Sequence, residues 1–143
     1  MKTSVIGFLL AGLLLVSSAG VAAEDRMRVA YHVNHGEAAQ HLAAMRNVQN
    51  HINAVGAENV DIKVVMHGPG LNLLIGANEN PDLQAAVDSL KLQGVQFQVC
   101  QNTIDSRQLS LDDLYDFSEA DIVQSGVAQL SILQMQGYTY IKP

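Results

Sequence analysis

The chain of 143 residues carries 14 acidic against 8 basic side chains, a net charge of −6 at pH 7, and 48% hydrophobic residues. An acidic chain lacks the positive surface that binds a phosphate backbone, which argues against a nucleic-acid partner. The hydrophobic fraction and the three prolines exclude a disordered acidic tail, and a single cysteine excludes a disulfide framework.

The first 23 residues have the layout of a secretory signal peptide. Lys2 supplies the positive start, an apolar run covers 5–16, and Val21 and Ala23 are the small residues before a cleavage site. The apolar run is shorter than the roughly 20 residues that a membrane-spanning helix needs. We therefore expect cleavage after Ala23, a periplasmic location, no membrane anchor in the mature protein, and one domain over 24–143.

The mature chain alternates between the hydrophobic period of strands and that of helices. In chain order, the pattern predicts a strand at 26–33, a helix at 37–56, a strand at 60–67, a short helical turn at 71–75, a helix at 81–94, a strand at 95–100, a short helix from about Thr103, a partly helical acidic stretch at 110–120, a strand at 121–124, a helix at 126–137 and a strand at 138–143. Strands that alternate with helices predict a three-layer α/β/α sandwich with a mostly parallel sheet of about five strands.

Cys100 ends the third predicted strand, and reactive groups of open α/β sheets lie beyond the carboxyl ends of the strands. An unpaired cysteine is commonly inert packing, but strand alternation places Cys100 on one face with Gln96 and Gln98. Asn102 or Thr103 is expected to cap the helix that follows, whose free N–H groups would favour the thiolate. Cys100 is therefore the candidate nucleophile, with inert packing as the alternative.

Polar residues at the other strand ends are candidates to line the same site. Asn34 and His35 follow the first strand, and His67 ends the second. His67 is the more natural helper, since it could donate a hydrogen bond to a thiolate or persulfide at Cys100. A flavodoxin-like strand order would instead bring Asn34 and His35 closer to Cys100. The glycine-rich segment 68–70 lacks the Lys and Ser/Thr of a phosphate loop and is interpreted as a tight turn.

The first helix is predicted to bury one apolar stripe, which consists of Leu42, Met45, Val48, Ile52 and Val55. Asn47, Asn50 and His51 then share the opposite, polar face. The five histidines suggest a metal site, but His41 and His51 stand roughly 80° apart around the helix. No zinc-type spacing is present. We expect structural or solvated histidines, no bound metal and no cofactor, with a histidine-based metal binder as an alternative.

Four segments taken together resemble the small exported branch of the DsrE/DsrF-like family. They are VAYHVNHG, MRNVQNHINAVGAENVDIKVVMHGPGLNLL, GVQFQVCQNTI and DIVQSGVAQLSILQMQGYTYIKP, and the resemblance runs from about Arg28 to Pro143. It implies an α/β/α fold, trimers or hexamers and, as in the family's characterised cytoplasmic members, sulfur relay through a persulfide on one cysteine, which falls on Cys100. It also makes Asn47 and His51 recurrent positions at an interface or site border. His35 departs from the acidic residue expected in the family's first loop.

These observations together predict a periplasmic protein that handles sulfane sulfur or thiols through Cys100. Its expected partners are further copies of itself and an unidentified thiol or sulfur donor or acceptor protein. A fully exposed thiol would be trapped as a mixed disulfide in an oxidising compartment, so we expect Cys100 to be partly sheltered, by a subunit interface for example. The alternative is an oligomeric binding or redox-sensing module of the same fold without turnover.

Overall fold

A five-stranded sheet forms the centre of the structure. The computed structural model describes residues 26–143, so the predicted signal peptide and its cleavage site lie outside the described residues. The strands are β1 (Met27–Val33), β2 (Val60–Met66), β3 (Gln96–Cys100), β4 (Ile122–Val123) and β5 (Thr139–Ile141). The helices are α1 (Ala38–Val55), α2 (Asn72–Ala77), α3 (Pro81–Leu92), α4 (Gln101–Arg107) and α5 (Gly126–Met135). Short 3₁₀ turns cover Ala57–Asn59, Gly68–Leu71, Leu111–Asp113 and Glu119–Asp121.

The strands lie in the order β4-β3-β2-β1-β5, and every neighbouring pair is parallel. Strand β2 therefore lies between β1 and β3. This differs from the flavodoxin-like order, in which β1 and β3 would be neighbours. As a consequence, the loop that follows β2 borders the end of β3, and the loop that follows β1 lies one strand further away.

Helices cover both faces of the sheet, and the main core lies under α1, α2 and α3. The strand residues of this core are Val29, Tyr31, Val33, Ile62, Val64, Met66, Phe97 and Val99. On the other face, Leu130 and Leu133 of α5 form a smaller cluster with Ala30, Val65 and Tyr138. A parallel sheet needs apolar cover on both faces, and this arrangement confirms the predicted three-layer α/β/α sandwich. No helix within 26–143 is both long and apolar enough to cross a bilayer.

The buried face of α1 is rotated from the predicted stripe. Met45, Val48 and Ile52 are buried as expected, but Leu42 and Val55 are only half-buried. Ala44 and the fully buried His41 complete the inner face instead. The reason is that the loop after β1 folds over the first turn of α1, where the His41 ring donates from Nε2 to the His35 carbonyl oxygen at 2.8 Å.

The loop after β2 is a tight turn, as the glycine pattern predicts. Gly68 has φ of 54°, in the left-handed region that glycine adopts without strain. A Cβ on Gly70 would lie 2.1 Å from the Val33 carbonyl oxygen, so only glycine fits there. The turn is therefore pressed against the end of β1, and it fixes the position of His67 at the carboxyl edge of the sheet.

Candidate functional site

Cys100 is the last residue of β3 and lies immediately before α4. The thiol-bearing residue is 5% exposed, and it faces α5. The helix begins at Gln101, so the N-cap is Cys100 itself, and the prediction that Asn102 or Thr103 holds this position is wrong. The chain passes from strand to helix without an intervening loop, which leaves Cys100 with extended backbone angles (φ −73°, ψ 117°) at the start of the helix.

The register of the sheet sets His67 beside Cys100. Met66, the last residue of β2, pairs with Val99 of β3. The residues that follow these two along the sequence are His67 and Cys100. Strand alternation then directs both side chains to the face that α5 covers. A Cβ built on Gly126, the first residue of α5, would lie 3.0 Å from the His67 Cβ and 3.3 Å from the Cys100 Cβ. Gly126 therefore lets the start of α5 approach both residues closely.

Backbone donors from two helices surround the sulfur and control its pKa. Burial of the thiol is the largest single effect and raises the pKa. The Gly126 N–H, the Thr103 hydroxyl and N–H, and the Asn102 N–H lower the pKa and together outweigh burial, so the pKa of Cys100 lies below its ordinary value. None of these makes a direct capping bond to the side chain. The sulfur is therefore placed among several converging donors, which favour the thiolate.

Thr103 connects the cysteine to the loop after β2. Its hydroxyl oxygen accepts a hydrogen bond from the Gly68 N–H at 2.9 Å, and Thr103 is buried. Because a hydroxyl has one proton to donate, this leaves the Thr103 O–H available to the Cys100 sulfur. A cavity of about 290 Å³ lies on the outer side of Thr103 and is lined by Gly68, Pro69, Asn72, Thr103, Ser106 and Arg107.

A chain of three polar side chains begins at His67. Its Nε2 lies 2.7 Å from the Nε2 of His32, and the His32 Nδ1 lies 2.7 Å from the Tyr140 hydroxyl. Burial, followed by the nearby charge of His67, Lys142 and His35, lowers the pKa of His32 to about 4. Burial and then Lys142 also lower the pKa of His67. Both rings are therefore neutral at pH 7.

Asn102, Asn34 and His35 lie at the same edge of the sheet but make other contacts. Asn102 is exposed, and its side-chain oxygen accepts a hydrogen bond from Gln124 at 3.2 Å. Asn34 and His35 follow β1, and β2 separates that strand from Cys100. The His35 ring packs against the His41 ring, with centroids 5.1 Å apart. Of the predicted site residues, the structure thus brings the side chains of His67 and Thr103 and the backbone N–H of Asn102 together with Cys100.

Asn47 and His51 lie far from this edge. Both are on α1, which covers the face of the sheet opposite α5. His51 hydrogen-bonds the Tyr31 hydroxyl at 2.9 Å, and its other ring nitrogen contacts Met27 at the amino end of β1. Asn47 is exposed. These two positions border a different surface from the one that holds Cys100.

Three residues of the site were not among the predicted site residues: Gly126, His32 and Tyr140. His32 and Tyr140 could be assigned to the site only from the strand order. Because β1 lies beside β2 and β5 lies beside β1, both side chains are on the same face as the end of β2. The glycine at position 126 follows a capping serine, Ser125, whose hydroxyl accepts from the Ala128 N–H. Within 26–143, no group of three or more His, Cys, Asp or Glu side chains has metal-site geometry.

The fold and the site define a class: an α/β/α protein with one sheltered, thiolate-favouring cysteine at the carboxyl edge of a parallel sheet. The model of the DsrE/DsrF-like family matches residues 13–143, and the chain belongs to that family. A solved protein of unknown function from Methanobacterium thermoautotrophicum is similar over 82% of this chain and 99% of its own, at 31% identity and a TM-score of 0.71. The ychN protein from E. coli shares the fold at 13% identity, with a TM-score of 0.61 over the same shares of each chain. No curated protein matches the chain.

Proposed function

We propose that this protein carries sulfane sulfur on Cys100 as a persulfide and passes it to an acceptor thiol. The observation that carries the proposal is the convergence of N–H groups from the starts of α4 and α5 on one buried thiol, which lowers its pKa. Membership of the DsrE/DsrF-like family supports a sulfur-relay type of function. A single cysteine suffices for a carrier, because the acceptor's thiol, and not a second cysteine of the carrier, releases the sulfur.

The chemistry consists of two balanced displacements. In the first, the Cys100 thiolate attacks the outer sulfur of a donor such as thiosulfate, a new S–S bond forms, and sulfite leaves with the electron pair of the broken bond. In the second, an acceptor thiolate attacks the outer sulfur of the persulfide, and the Cys100 thiolate leaves. The N–H groups around Cys100 stabilise this leaving thiolate, since a thiol of lower pKa leaves faster.

Intact mass spectrometry of the mature chain tests the proposal. The protein is incubated with thiosulfate or polysulfide and compared with Cys100→Ser and with Ser131→Ala, a control that removes an exposed hydroxyl from α5 but keeps the thiol. Wild type and the control should gain the mass of one sulfur atom, a reducing agent should remove it, and Cys100→Ser should gain none. Failure of the wild type to gain sulfur while Cys100 is reduced and reactive would overturn the proposal.

A second function, an oligomeric binding or redox-sensing module, is favoured by the burial of Cys100, which is only 5% exposed. Thiol labelling of the native protein separates the two functions. A carrier must react with an alkylating agent under native conditions at neutral pH. A cysteine that reacts only after denaturation would assign the protein to the binding module.

We also infer that the protein acts in the periplasm and as an oligomer. The signal-like first 23 residues support export, and N-terminal sequencing of the protein from a periplasmic fraction should begin at Glu24. Assembly is supported by the outward face of α5, where Val127 is 64% and Met135 86% exposed beside Ile132. Light scattering at micromolar concentration should give the mass of a trimer or hexamer, and a monomer would contradict assembly.

A further inference from the structure

His67, which lies beside Cys100, and its neighbour His32 share a single proton between their rings. Their Nε2 atoms are 2.7 Å apart, with ring centroids 4.7 Å apart and planes at 26°. A neutral imidazole carries one donor and one acceptor nitrogen. At this distance one Nε2 must carry the hydrogen and the other must accept it, because two unprotonated nitrogens would repel each other.

The Tyr140 hydroxyl extends this bond into a directional chain, since it lies 2.7 Å from the His32 Nδ1. In one state Tyr140 donates to His32, His32 donates to His67, and the His67 Nδ1 carries a hydrogen. In the other state every bond is reversed, and the His67 Nδ1 is a free acceptor. The two states interconvert when one proton enters at one end and another leaves at the opposite end.

The two ends of the chain are placed for such a transfer. The His67 Nδ1 makes no hydrogen bond within the described residues, and the sheet register sets His67 beside Cys100. At the other end Tyr140 is 43% exposed, whereas His32 is 9% exposed. The middle of this hydrogen-bonded chain is thus buried, and its Tyr140 end is exposed to solvent.

Burial, and after it the nearby charge, keeps the two histidines neutral. Lys142, beside Tyr140 on the last strand, and His35, on the loop after β1, both disfavour a proton on His32. Lys142 also disfavours a proton on His67. Within the described residues, no carboxylate is among the groups that shift either histidine. A stable imidazolium would stop the relay, and these surroundings prevent it from forming at neutral pH.

We propose that His67, His32 and Tyr140 form a proton relay that deprotonates the acceptor thiol as it approaches the persulfide on Cys100. The inference rests on the proposed function and extends it to the second displacement. The Cys100 thiol needs no such base, because converging N–H groups already favour its thiolate. An incoming thiol with an ordinary pKa of about 8.5 is mostly protonated at pH 7 and needs one.

The step balances in protons and electrons. The acceptor S–H proton goes to the His67 Nδ1, the His67 Nε2 proton to the His32 Nε2, the His32 Nδ1 proton to the Tyr140 oxygen, and the Tyr140 proton to water. The acceptor thiolate then forms a bond to the outer sulfur, and the electron pair of the broken S–S bond remains on Cys100. His67 contacts the reacting group, while His32 and Tyr140 act through it as positioning residues.

The test separates formation of the persulfide from its transfer. Wild type, Tyr140→Phe and His32→Gln are loaded with polysulfide and then mixed with glutathione or with 4-nitrothiophenol, whose much more acidic thiol is already a thiolate at pH 7. Tyr140→Phe and His32→Gln should load at the wild-type rate and transfer to glutathione at least about tenfold more slowly. Transfer to 4-nitrothiophenol should be unchanged. Tyr115→Phe, which removes a hydroxyl bonded to Asp88 and Gln84 on the other side of the sheet, is the matched control.

Two results would overturn the relay: equal slowing with both acceptors, which indicates a structural role, or no slowing with either. Nitrogen NMR of the histidine rings gives a readout that does not depend on sulfur chemistry. Tyr140→Phe should change the tautomer of His67, although the Tyr140 hydroxyl bonds to His32 and not to His67, and an unchanged His67 spectrum would contradict a coupled chain. If wild type forms no persulfide, the proposed function fails and the NMR result alone decides whether the chain exists.

Discussion

At the scale of single residues, the reactivity of Cys100 depends on how closely backbone donors approach its sulfur. The Thr103 side chain supplies one donor from within α4, and Gly126 supplies another from α5. Gly126 can do so only because it has no Cβ, since His67 and Cys100 occupy the space that a side chain would need. A glycine at the start of a helix therefore tunes the pKa of a thiol on another strand.

Gly126→Ala should raise the pKa of Cys100. The added Cβ would stand 3.0 Å from the His67 Cβ, so the first turn of α5 must shift and withdraw its N–H from the sulfur. The pH dependence of alkylation by iodoacetamide measures the change, and the reaction at pH 7 should become slower. Ser131→Ala, on the exposed middle of α5, is the control and should leave the profile unchanged. A wild-type profile for Gly126→Ala would show that this N–H does not act on the thiol.

At the scale of elements, the local sequence determines where most helices begin and end. Asn80 caps α3, because its side-chain oxygen accepts hydrogen bonds from the Asp82 and Leu83 N–H groups at 3.0 and 3.3 Å. Pro81 follows at the first helical position, where its missing N–H costs nothing. Helix α4 begins at Gln101, and the side chain of its N-cap residue, Cys100, makes no capping hydrogen bond. The short α4 is therefore stabilised by its surroundings, whereas α3 is stabilised by its own sequence.

Asn80→Ala should lower the free energy of unfolding by about 1 kcal/mol, the usual cost of losing a helix cap. Urea denaturation measures the loss. The reactivity of Cys100 should be unaffected, because α3 packs on the face of the sheet away from α5. Asn50→Ala, at an exposed position of α1, should change the stability far less. Equal stability of the two variants would argue against the capping role.

At the scale of the whole molecule, neutral buried histidines couple stability to pH. The fold holds His32 neutral down to a pKa of about 4, mainly because the ring is buried. Burial lowers the pKa of His41 and of His67 as well. In the unfolded chain each of these rings has an ordinary pKa near 6.5, so the unfolded state binds more protons than the folded state in the intervening range.

Stability should therefore be highest above about pH 6.5 and fall as the pH is lowered towards 4. His32 alone accounts for up to about 3 kcal/mol of this loss, from its shift of the pKa to about 4. Urea denaturation at a series of pH values measures it. His32→Gln should flatten the pH dependence, while His51→Gln keeps the His32 ring and serves as the control. If His32→Gln loses as much stability as wild type between pH 6.5 and 4, then His32 is not the source of the pH dependence.

The sequence by itself determined the elements and the candidate nucleophile. Periodicity in the segments around Val29, Val48 and Phe97 is a local property, and it predicted the strands, the helices and the α/β/α class. The position of Cys100 at a strand end followed from the same local pattern. The tight turn at 68–70 was also predictable, because glycine adopts the left-handed backbone of Gly68 without strain.

Only the tertiary structure decided which residues meet Cys100. Strand order depends on contacts between distant segments, and it placed β2 next to β3 and β5 next to β1. That order brought His67 and Gly126 to the thiol and joined His32 to Tyr140, while it left His51 at the other end of the sheet. The physical reason is that the hydrophobic periodicity of a segment indicates only which side of that helix or strand is buried. Which strands pair with each other is set by the packing of segments that are distant in the sequence.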